Sequence, residues 1–258
     1  MESLLNRTIK IVDISKIKTS CANCNLAELC LPHGLEKEEL SRLDSIVKRS
    51  RPLQRGDHLF RTGDTFVSIY AIRSGAIKLY TFSEQAEEEI LGFYLPGEIL
   101  GLDAIHAERH TGYAIALETS SYCVIPFSRL EATCNEIPGL QHQLHKIMSR
   151  ELSQENELLL TLSNKDAEAK VASFLVNLSA RYRQLGYSPF EFRLPMTRKD
   201  IGTYLGLTVE TISRIFGRLQ QYGVVTTDRK FIQILKPDVL REICIGYDSG
   251  CLQQDSVA

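Results

Sequence analysis

The 258-residue chain contains no long hydrophobic run. No stretch approaches the roughly 18 to 20 consecutive apolar residues that cross a bilayer. The first residues, MESLLNRTIKIVDISKIK, interrupt their apolar positions with charged residues too often for a signal peptide. We therefore expect a cytoplasmic protein that does not contact a membrane, and the length suits two domains.

The sequence also lacks the patterns that carry enzyme chemistry. It shows no nucleophile-and-base constellation and no phosphate-cradling loop, and its isolated histidines are best explained as surface residues. We therefore expect a binding protein and not an enzyme. Charge of one sign is not in excess either, because the formal net charge is −2. This balance excludes little, since acidic residues elsewhere can offset a basic DNA-binding face.

Cysteine is present in an odd number, seven, and three of the seven lie close together. Cys21, Cys24 and Cys30 form a C-x2-C-x5-C run, and cytosolic thiols stay reduced, so metal ligands, reactive groups or core residues are expected rather than disulfides. With His33 the run becomes C-x2-C-x5-C-x2-H, which could bind zinc locally. The alternatives are a thiol redox switch and a metal cluster that takes a fourth, remote thiolate from Cys123. We expect the other thiols to be core residues, namely Cys134, Cys244 and Cys251.

Two kinds of pattern follow the cysteine run. Leu40, Leu43, Ile46 and Val47 share one face at helical spacing, which predicts a short amphipathic helix. From about residue 52, short apolar runs alternate with turns, as in an antiparallel sandwich or barrel. These runs are punctuated by Gly56, Gly63, Gly75, Gly97 and Gly112.

A long helix is predicted beyond Pro138, because residues 140–162 contain neither glycine nor proline. The helix carries a narrow apolar stripe that is typical of a coiled-coil seam, so we predict that a homodimer forms through it. The alternative is a helix that lies on its own sheet. The stripe comprises Leu144, Met148, Leu152, Leu159 and Leu162, with Glu155 on the same face.

Glu155 interrupts this stripe between Leu152 and Leu159. Across a two-fold axis its carboxylate would lie near its own copy, and like charges at short range are unfavourable. We therefore expect a seam that is only marginally stable by itself, which suits a switch between monomer and dimer. An arginine from the partner helix, such as Arg150, is the alternative neighbour and would cancel the repulsion.

The most specific local pattern is RKDIGTYLGLTVETISRIFGR, residues 198–218. A helix-turn-helix unit needs a small residue where its helices meet, a residue that can turn the chain, and apolar residues at fixed offsets. Gly202 supplies the small contact and Gly206 permits the turn. An ordinary helical hairpin is the alternative. The apolar positions are Ile201, Leu205, Leu207, Ile212 and Ile215.

Outward-facing residues of the second helix favour DNA binding. Glu210, Ser213 and Arg214 share one face, where Arg214 could reach guanine O6 and N7 and Glu210 could accept from cytosine N4. The segment GVVTTDRKFIQIL follows as two extended runs around a basic tip, which predicts a winged hairpin that touches phosphate. The predicted DNA contacts are Thr208, Val209, Glu210, Ser213, Arg214, Arg218, Arg229 and Lys230.

Together these features resemble the Crp/Fnr transcription regulators, and in particular their oxygen-responsive branch. The likeness rests on YAIRSG, ALETS, EIPGLQHQL, FLVNLSAR and FRLPMTRKDIGTYLGLTVETISR, and it covers nearly residues 20 to 245. It implies an α+β fold with an N-terminal antiparallel β-roll (a cyclic-nucleotide-binding-like jelly roll), a long dimerisation helix and a C-terminal winged helix-turn-helix. The implied parts are a cysteine-rich iron-sulfur loop at 1–34, a β-roll sensor domain at 35–136, the dimerisation helix at 137–164, the DNA-binding domain at 165–245 and a tail at 246–258.

The resemblance also implies a cofactor and partners. Cys21, Cys24, Cys30 and Cys123 match the four ligands of an oxygen-labile 4Fe–4S cluster. The cluster-loaded homodimer is then expected to bind promoter DNA anaerobically, at a palindrome like TTGAT-N4-ATCAA, and oxygen is expected to free the loop and weaken the dimer. RNA polymerase is a further expected partner, and residues 82–89 are either its contact or a solvated acidic turn. The alternative function is a Crp-like regulator of another ligand, with structural zinc in the cysteine loop.

No cyclic nucleotide is expected in the roll. Members of the family that bind one hold its phosphate with an Arg-Ser pair that follows a Gly-Glu element. Here Pro96 to Glu98 supply that element, but His110 and Thr111 stand where the pair is expected, and Arg109 lies one position away. A neutral imidazole is a poor substitute for a bidentate guanidinium, so phosphate binding is expected to be lost or much weakened.

Overall fold

The chain is described from a computed structural model, which defines residues 20–246. Cys251 and nearly all of the predicted tail lie outside the described residues. The cysteine run forms two short 3₁₀ turns, Cys21–Asn23 and Ala27–Leu29. Helix α1 (Lys37–Ile46) follows, and Glu36 and Glu39 form a capping box at its start. It buries Leu43 and Ile46, so the predicted amphipathic helix is confirmed.

Two four-stranded antiparallel sheets form the roll, with strand orders β1-β8-β3-β6 and β2-β7-β4-β5. Apolar side chains of both sheets meet between them, which is why the short apolar runs alternate with polar residues. The strands are β1 (Lys48–Arg49), β2 (His58–Phe60), β3 (Ser68–Ser74), β4 (Ile77–Phe82), β5 (Glu88–Tyr94), β6 (Ile99–Leu100), β7 (Tyr113–Ala116) and β8 (Ser121–Pro126), with the short helix α2 (Ala104–Ala107) before β7.

Gly75 allows the tight turn between β3 and β4. Its φ of +82° lies in the left-handed region, and a Cβ there would stand 2.6 Å from the carbonyl oxygen of Thr119. Only glycine satisfies both conditions, so this turn explains one of the glycines that punctuate the sequence.

Two helices lead out of the roll, α3 (Phe127–Glu136) and the 27-residue α4 (Pro138–Asn164). Pro138 occupies the first turn of α4, where its missing N–H costs no hydrogen bond. The first half of α4 buries Leu140, Leu144 and Ile147 against the roll of the same chain. Beyond Met148 the apolar side chains of its stripe are largely uncovered.

The C-terminal part is a winged helix-turn-helix. Its elements are α5 (Ala167–Gln184), β9 (Glu191–Arg193), α6 (Arg198–Leu205), α7 (Val209–Gln221), β10 (Val225–Asp228), β11 (Phe231–Ile234) and α8 (Pro237–Ile245). Thr197 and Asp200 form a capping box at the start of α6, and Gly206 ends that helix in the left-handed conformation. Thr208 caps α7 by accepting a hydrogen bond from the Thr211 amide.

The wing sheet contains a strand that the sequence analysis did not identify. Strands β10, β11 and β9 pair in that order, so β9 extends the predicted hairpin to three strands. Only three residues form β9, and only Phe192 among them is buried, which is too short an alternation to recognise in sequence. The predicted fold class is otherwise confirmed.

The C-terminal part packs against the roll of its own chain, where α6 lies on β5. The ring of Phe93 on β5 meets Phe174 of α5 and Tyr204 of α6 edge to face, at centroid distances of 6.2 and 5.2 Å. One apolar core therefore continues from the roll into the helix-turn-helix.

Gly202→Ala is expected to destabilise the helix-turn-helix. A Cβ at Gly202 would lie 2.6 Å from the carbonyl oxygen of Leu207 in the turn after α6, so α6 and that turn must separate. Overpacking of this kind costs roughly 1–3 kcal/mol. Gly217→Ala is the matched control, because a Cβ there meets nothing within 4 Å, and it should stabilise α7 by about 0.5–1 kcal/mol. Urea unfolding of both variants measures the difference, and equal stability of Gly202→Ala and the wild type would contradict the close contact.

Candidate cysteine centre and nucleic-acid interface

A chain of contacts brings the cysteine loop to the remote Cys123. The Cys21 amide donates to Oδ1 of Asp44 on α1 at 2.9 Å, and Nη2 of Arg49 donates to the same oxygen at 2.7 Å. In the sheet, Arg49 on β1 pairs in register with Cys123 on β8. Asp44 and Arg49 therefore connect two parts of the chain about a hundred residues apart, and sequence reasoning missed both residues.

The four cysteines are free thiols, and three of them pack against one core. Burial, together with a hydrogen bond to Asp44, raises the pKa of Cys21 to about 12. Burial also raises the pKa of Cys30 to about 12 and that of Cys123 above its usual range. Negative charge on any of these sulfurs disfavours it on the others, because Cys21 and Cys30 interact with Cys123, and Cys30 and Cys123 with Cys24.

His33, the fourth ligand of the zinc alternative, is engaged elsewhere. Its Nδ1 lies 2.8 Å from Oε2 of Glu28 at the surface. Within residues 20–246, no group of three or more Cys, His, Asp or Glu side chains is arranged to hold a metal ion.

The same loop contacts the long helix. The side chain of Gln143, buried on α4, donates from Nε2 to the carbonyl oxygen of Cys30 at 3.2 Å. Leu31 is fully buried in the core that also receives Leu140. Leu29 lies against Gly97, where an added Cβ would stand 2.9 Å from that of Leu29. A displacement of the loop therefore changes the packing of α4 directly.

The predicted dimer stripe divides into two halves. Leu144 is buried and Met148 half-buried against the roll of the same chain, so the alternative of a helix on its own sheet describes this half. Leu152 and Leu159 are 62% and 61% exposed in the single chain. Glu155 is exposed and Leu162 half-buried.

A carboxyl group that sequence reasoning missed lies one turn before Glu155. Burial, together with the neighbouring carboxylates of Glu98 and Glu155, raises the pKa of Glu151 to about 7. The start of the uncovered half of α4 therefore carries crowded negative charge.

The recognition helix α7 presents its predicted contact residues to solvent. Glu210, Ser213 and Arg214 are exposed, and Val209 and Thr208 lie exposed at its start. Arg218, by contrast, is only partly exposed. Its Nη2 is 3.1 Å from Oε2 of the buried Glu168, so this arginine also joins α7 to α5.

The two wing residues differ in their surroundings. Arg229 is exposed at the tip with a φ of +53°, as a tight turn requires. Nζ of Lys230 donates to the carbonyl oxygen of Pro195 at 3.0 Å, and burial lowers its pKa. Arg229 is therefore the more accessible cation of the wing.

His110 and Arg109 lie in the segment of the roll where the nucleotide-binding pair is expected. The imidazole of His110 is buried and stacks on Phe60 with a centroid distance of 3.7 Å and an interplanar angle of 12°. Its Nδ1 has no hydrogen-bond partner among the described residues, and burial lowers its pKa. Arg109 is exposed and donates to the carbonyl oxygen of Gly63 at 2.9 Å. The Glu98 carboxylate is bound by Arg181 of α5.

These features define a winged helix-turn-helix regulator with a roll of the cyclic-nucleotide-binding type. Residues 50–136 match the cyclic nucleotide-binding domain, and residues 169–243 match the Crp-like helix-turn-helix domain. No helix in the described range is long and apolar enough to span a membrane.

Sequence relatives cover almost the whole chain. The chain is 50% identical over 220 residues to the regulatory protein HlyX of Actinobacillus pleuropneumoniae, covering 85% of this chain and 92% of that protein. It is 46% identical over 237 residues to the fumarate and nitrate reduction regulatory protein of Escherichia coli, covering 92% and 95%. It is 50% identical over 230 residues to the transcriptional activator protein Anr of Pseudomonas protegens, covering 89% and 94%.

A solved structure shares the fold. FixK2 from Bradyrhizobium japonicum matches with a TM-score of 0.71 at 24% identity, covering 79% of this chain and 100% of that chain. The chain therefore belongs to the Crp/Fnr family, whose members are transcription regulators and not enzymes.

His110→Phe is expected to reduce the loss of stability in acid. Because the folded pKa of His110 lies below its unfolded value, the unfolded chain binds the proton more readily, so stability falls as the pH drops through about 6.5. A phenylalanine keeps the stacking on Phe60 and removes the titration. Melting temperatures at pH 7, 6 and 5 should fall less for His110→Phe than for the wild type, whereas His106→Gln, at an exposed position, should follow the wild type. Parallel curves for wild type and His110→Phe would contradict this role.

Proposed function

We propose that this chain is an oxygen-responsive transcription regulator. When Cys21, Cys24, Cys30 and Cys123 hold a 4Fe–4S cluster, it binds palindromic promoter DNA as a homodimer. The observation that carries the proposal is the packing of the cysteine loop and Cys123 on one core, connected through Asp44 and Arg49. The fumarate and nitrate reduction regulator among the relatives supports it, because that name refers to respiration with acceptors other than oxygen.

The residues around the thiols fit a cluster. The sulfurs of Cys21, Cys30 and Cys123 disfavour one another's negative charge, and bound iron would remove that penalty. Arg49 and Arg73 both favour negative charge at Cys123. The buried Nε of Arg49 has no acceptor among residues 20–246, and a cluster with its thiolates would supply acceptors near it. When bound, the cluster would supply an oxygen-labile cross-link between the loop and β8.

The chain's own residues connect this centre to dimer formation. Gln143 and Leu31 join the loop to the first half of α4, so the position of the loop sets the packing of that helix. Leu152 and Leu159 then supply the apolar contact with a second copy, across which Glu155 faces its own equivalent. Charge repulsion keeps this contact weak, so a few kcal/mol from the loop are enough to move the monomer–dimer equilibrium.

The dimer would place two recognition helices in successive major grooves of a palindrome like TTGAT-N4-ATCAA. Glu210, Ser213 and Arg214 are the residues for base readout, because all three are exposed on one face of α7. The hairpin at residues 82–89 joins β4 and β5 and carries exposed acidic side chains. It is the candidate contact for RNA polymerase. No cyclic nucleotide is expected, since His110 and Thr111 stand where the phosphate-binding pair is expected and Arg181 binds the Glu98 carboxylate.

Cys123→Ala is expected to abolish cluster assembly although Cys123 is remote in sequence from the loop. A local zinc site would not depend on this residue. Iron and acid-labile sulfide analysis of anaerobically purified protein, together with its visible absorbance, measures the effect. Cys134→Ala is the matched control, because Cys134 is buried in the same core but lies outside the proposed set. His33→Ala should also keep the colour. A full complement of iron in Cys123→Ala would refute the four-thiolate assignment.

Arg214→Ala is expected to weaken binding to the palindrome by about 1–3 kcal/mol and to relax the preference at its G·C pair. Arg229→Ala is the control, since an exposed wing cation that touches phosphate should weaken all sequences alike. Fluorescence anisotropy on the palindrome, a G·C-substituted palindrome and random DNA separates the two effects. Equal losses for Arg214→Ala on specific and random DNA would show that it does not read a base.

A further inference from the structure

Three ion pairs join the roll to the DNA-binding part, and each uses a different element of that part. In the roll, the pairs begin at β4, at the turn before β6 and at the loop between β7 and β8. In the DNA-binding part they end on α6, α5 and β9. The pairs are Lys78–Asp200, Glu98–Arg181 and Glu118–Arg193.

The pair on α5 is the most extensive. Arg181 donates from Nε to Oε1 of Glu98 at 2.8 Å and from Nη2 to Oε2 at 2.6 Å. The same Nη2 also donates to the carbonyl oxygen of Phe93. Oε2 of Glu98 accepts in addition from the Leu95 amide at 2.8 Å. A two-pronged pair of this kind fixes direction as well as distance, because the guanidinium and carboxylate planes must align.

The pair on α6 is the most buried. Nζ of Lys78 lies 3.0 Å from Oδ1 of Asp200, and the two side chains are only 10% and 12% exposed. Glu88 on the neighbouring strand accepts from the same ammonium at 2.9 Å. Oδ2 of Asp200 accepts from the amide and hydroxyl of Thr197 at the start of α6. Lys78 therefore holds the residue that caps the first helix of the helix-turn-helix.

The third pair, between Glu118 and Arg193, is more exposed than the other two. Nη1 of Arg193 on β9 lies 2.7 Å from Oε2 of Glu118, and these side chains are 50% and 30% exposed. The three attachments lie on three different elements, α5, α6 and β9, so a rotation of the DNA-binding part against the roll has to break at least one of them. Buried ion pairs contribute little net stability compared with apolar contacts but can select one arrangement. The apolar contact of Phe93 with Phe174 and Tyr204 would tolerate sliding that the ion pairs do not.

We propose that Lys78–Asp200 and Glu98–Arg181 are positioning pairs that set the orientation of the recognition helix relative to α4, and thereby the operator spacing that the dimer accepts. The inference rests on the proposed function for its DNA consequence. None of the four side chains belongs to the recognition face of α7 or to the cysteine set. Glu98 then holds the DNA-binding part to the roll through its pair with Arg181.

Operator spacing is the readout that separates positioning from stability. One base pair more or less between half-sites shifts them by about 3.4 Å and rotates them by about 35°. The full chain, loaded anaerobically, should bind the N4 palindrome about ten-fold more tightly than the N3 and N5 versions. Lys78→Met, and Glu98→Gln combined with Arg181→Met, should reduce that ratio to about three-fold or less. The double variant removes both charges of this pair, so neither is left buried without the other.

Two controls accompany these variants. Lys78→Arg keeps the cation and should retain the spacing preference. Arg241→Met removes a cation of the same part whose partner, Asp238, lies on the same helix, and it too should retain the preference. A variant that binds all three spacings more weakly but keeps the ten-fold ratio overturns the proposal, because that result describes lost stability only.

A measurement without DNA keeps the inference distinct from the proposed function. Hydrogen exchange of the full chain in air should become at least about ten-fold faster at residues 88–94 of β5 and at α6 in both pair-deleted variants. Exchange in β10 and β11 should not change, since these strands lie inside the DNA-binding part. If exchange at β5 and α6 is unchanged in the variants, the ion pairs do not hold the two parts in position. This conclusion does not depend on whether the wild type binds any palindrome. If the wild type binds no palindrome but exchange is faster in the variants, the proposed function is refuted and the role of the ion pairs in holding the two parts together is supported.

Discussion

The packing of the cysteine loop, the last strand of the roll and the start of α4 on one apolar core is the constraint on which the rest depends. Leu31 from the loop, Ile125 from β8 and Leu140 from α4 are all fully buried there. Close-packed interiors do not deform continuously, so a shift of one contributor requires the others to rearrange. The thiols lie at the edge of this core. A movement of the cysteine side chains would therefore change the position of α4 through packing alone, without a long relay of polar groups.

The long helix combines two opposite requirements. Its first half is bound firmly to the roll, and its second half exposes Leu152 and Leu159 beside a group of carboxylates. Burial of those leucines against a second copy would be favourable, whereas bringing Glu155 together with its equivalent would be unfavourable. Under the proposed function these two contributions oppose each other, so that the dimer would lie near its midpoint. A strongly apolar seam would remove that sensitivity.

Local sequence patterns were sufficient to predict the elements that have a strong apolar periodicity or clear capping residues. The helix-turn-helix followed from Gly202, Gly206 and the apolar offsets, and α4 from a stretch without glycine or proline. The place of Cys123 beside the loop was anticipated through the family resemblance. Sequence could not reveal the partners of Arg218 and Lys230, which are Glu168 and Pro195. Such pairs form between residues far apart in the chain, and neither member carries a local signal. The ties from Glu98 to Arg181 and from Lys78 to Asp200 were missed for the same reason.

The length of α4 has a geometric consequence for the roll that carries it. A continuous helix of 27 residues is about 40 Å long. The 16 residues of α4 beyond Met148 extend about 24 Å past its contacts with the roll. A tilt of about 7° there would displace the far end by nearly 3 Å, which approaches the rise of one base pair. Movements too small to disturb any single contact near the cysteines are thus magnified along the helix into distances that matter on DNA. The rigidity of the roll therefore sets how precisely the far end of α4 is placed.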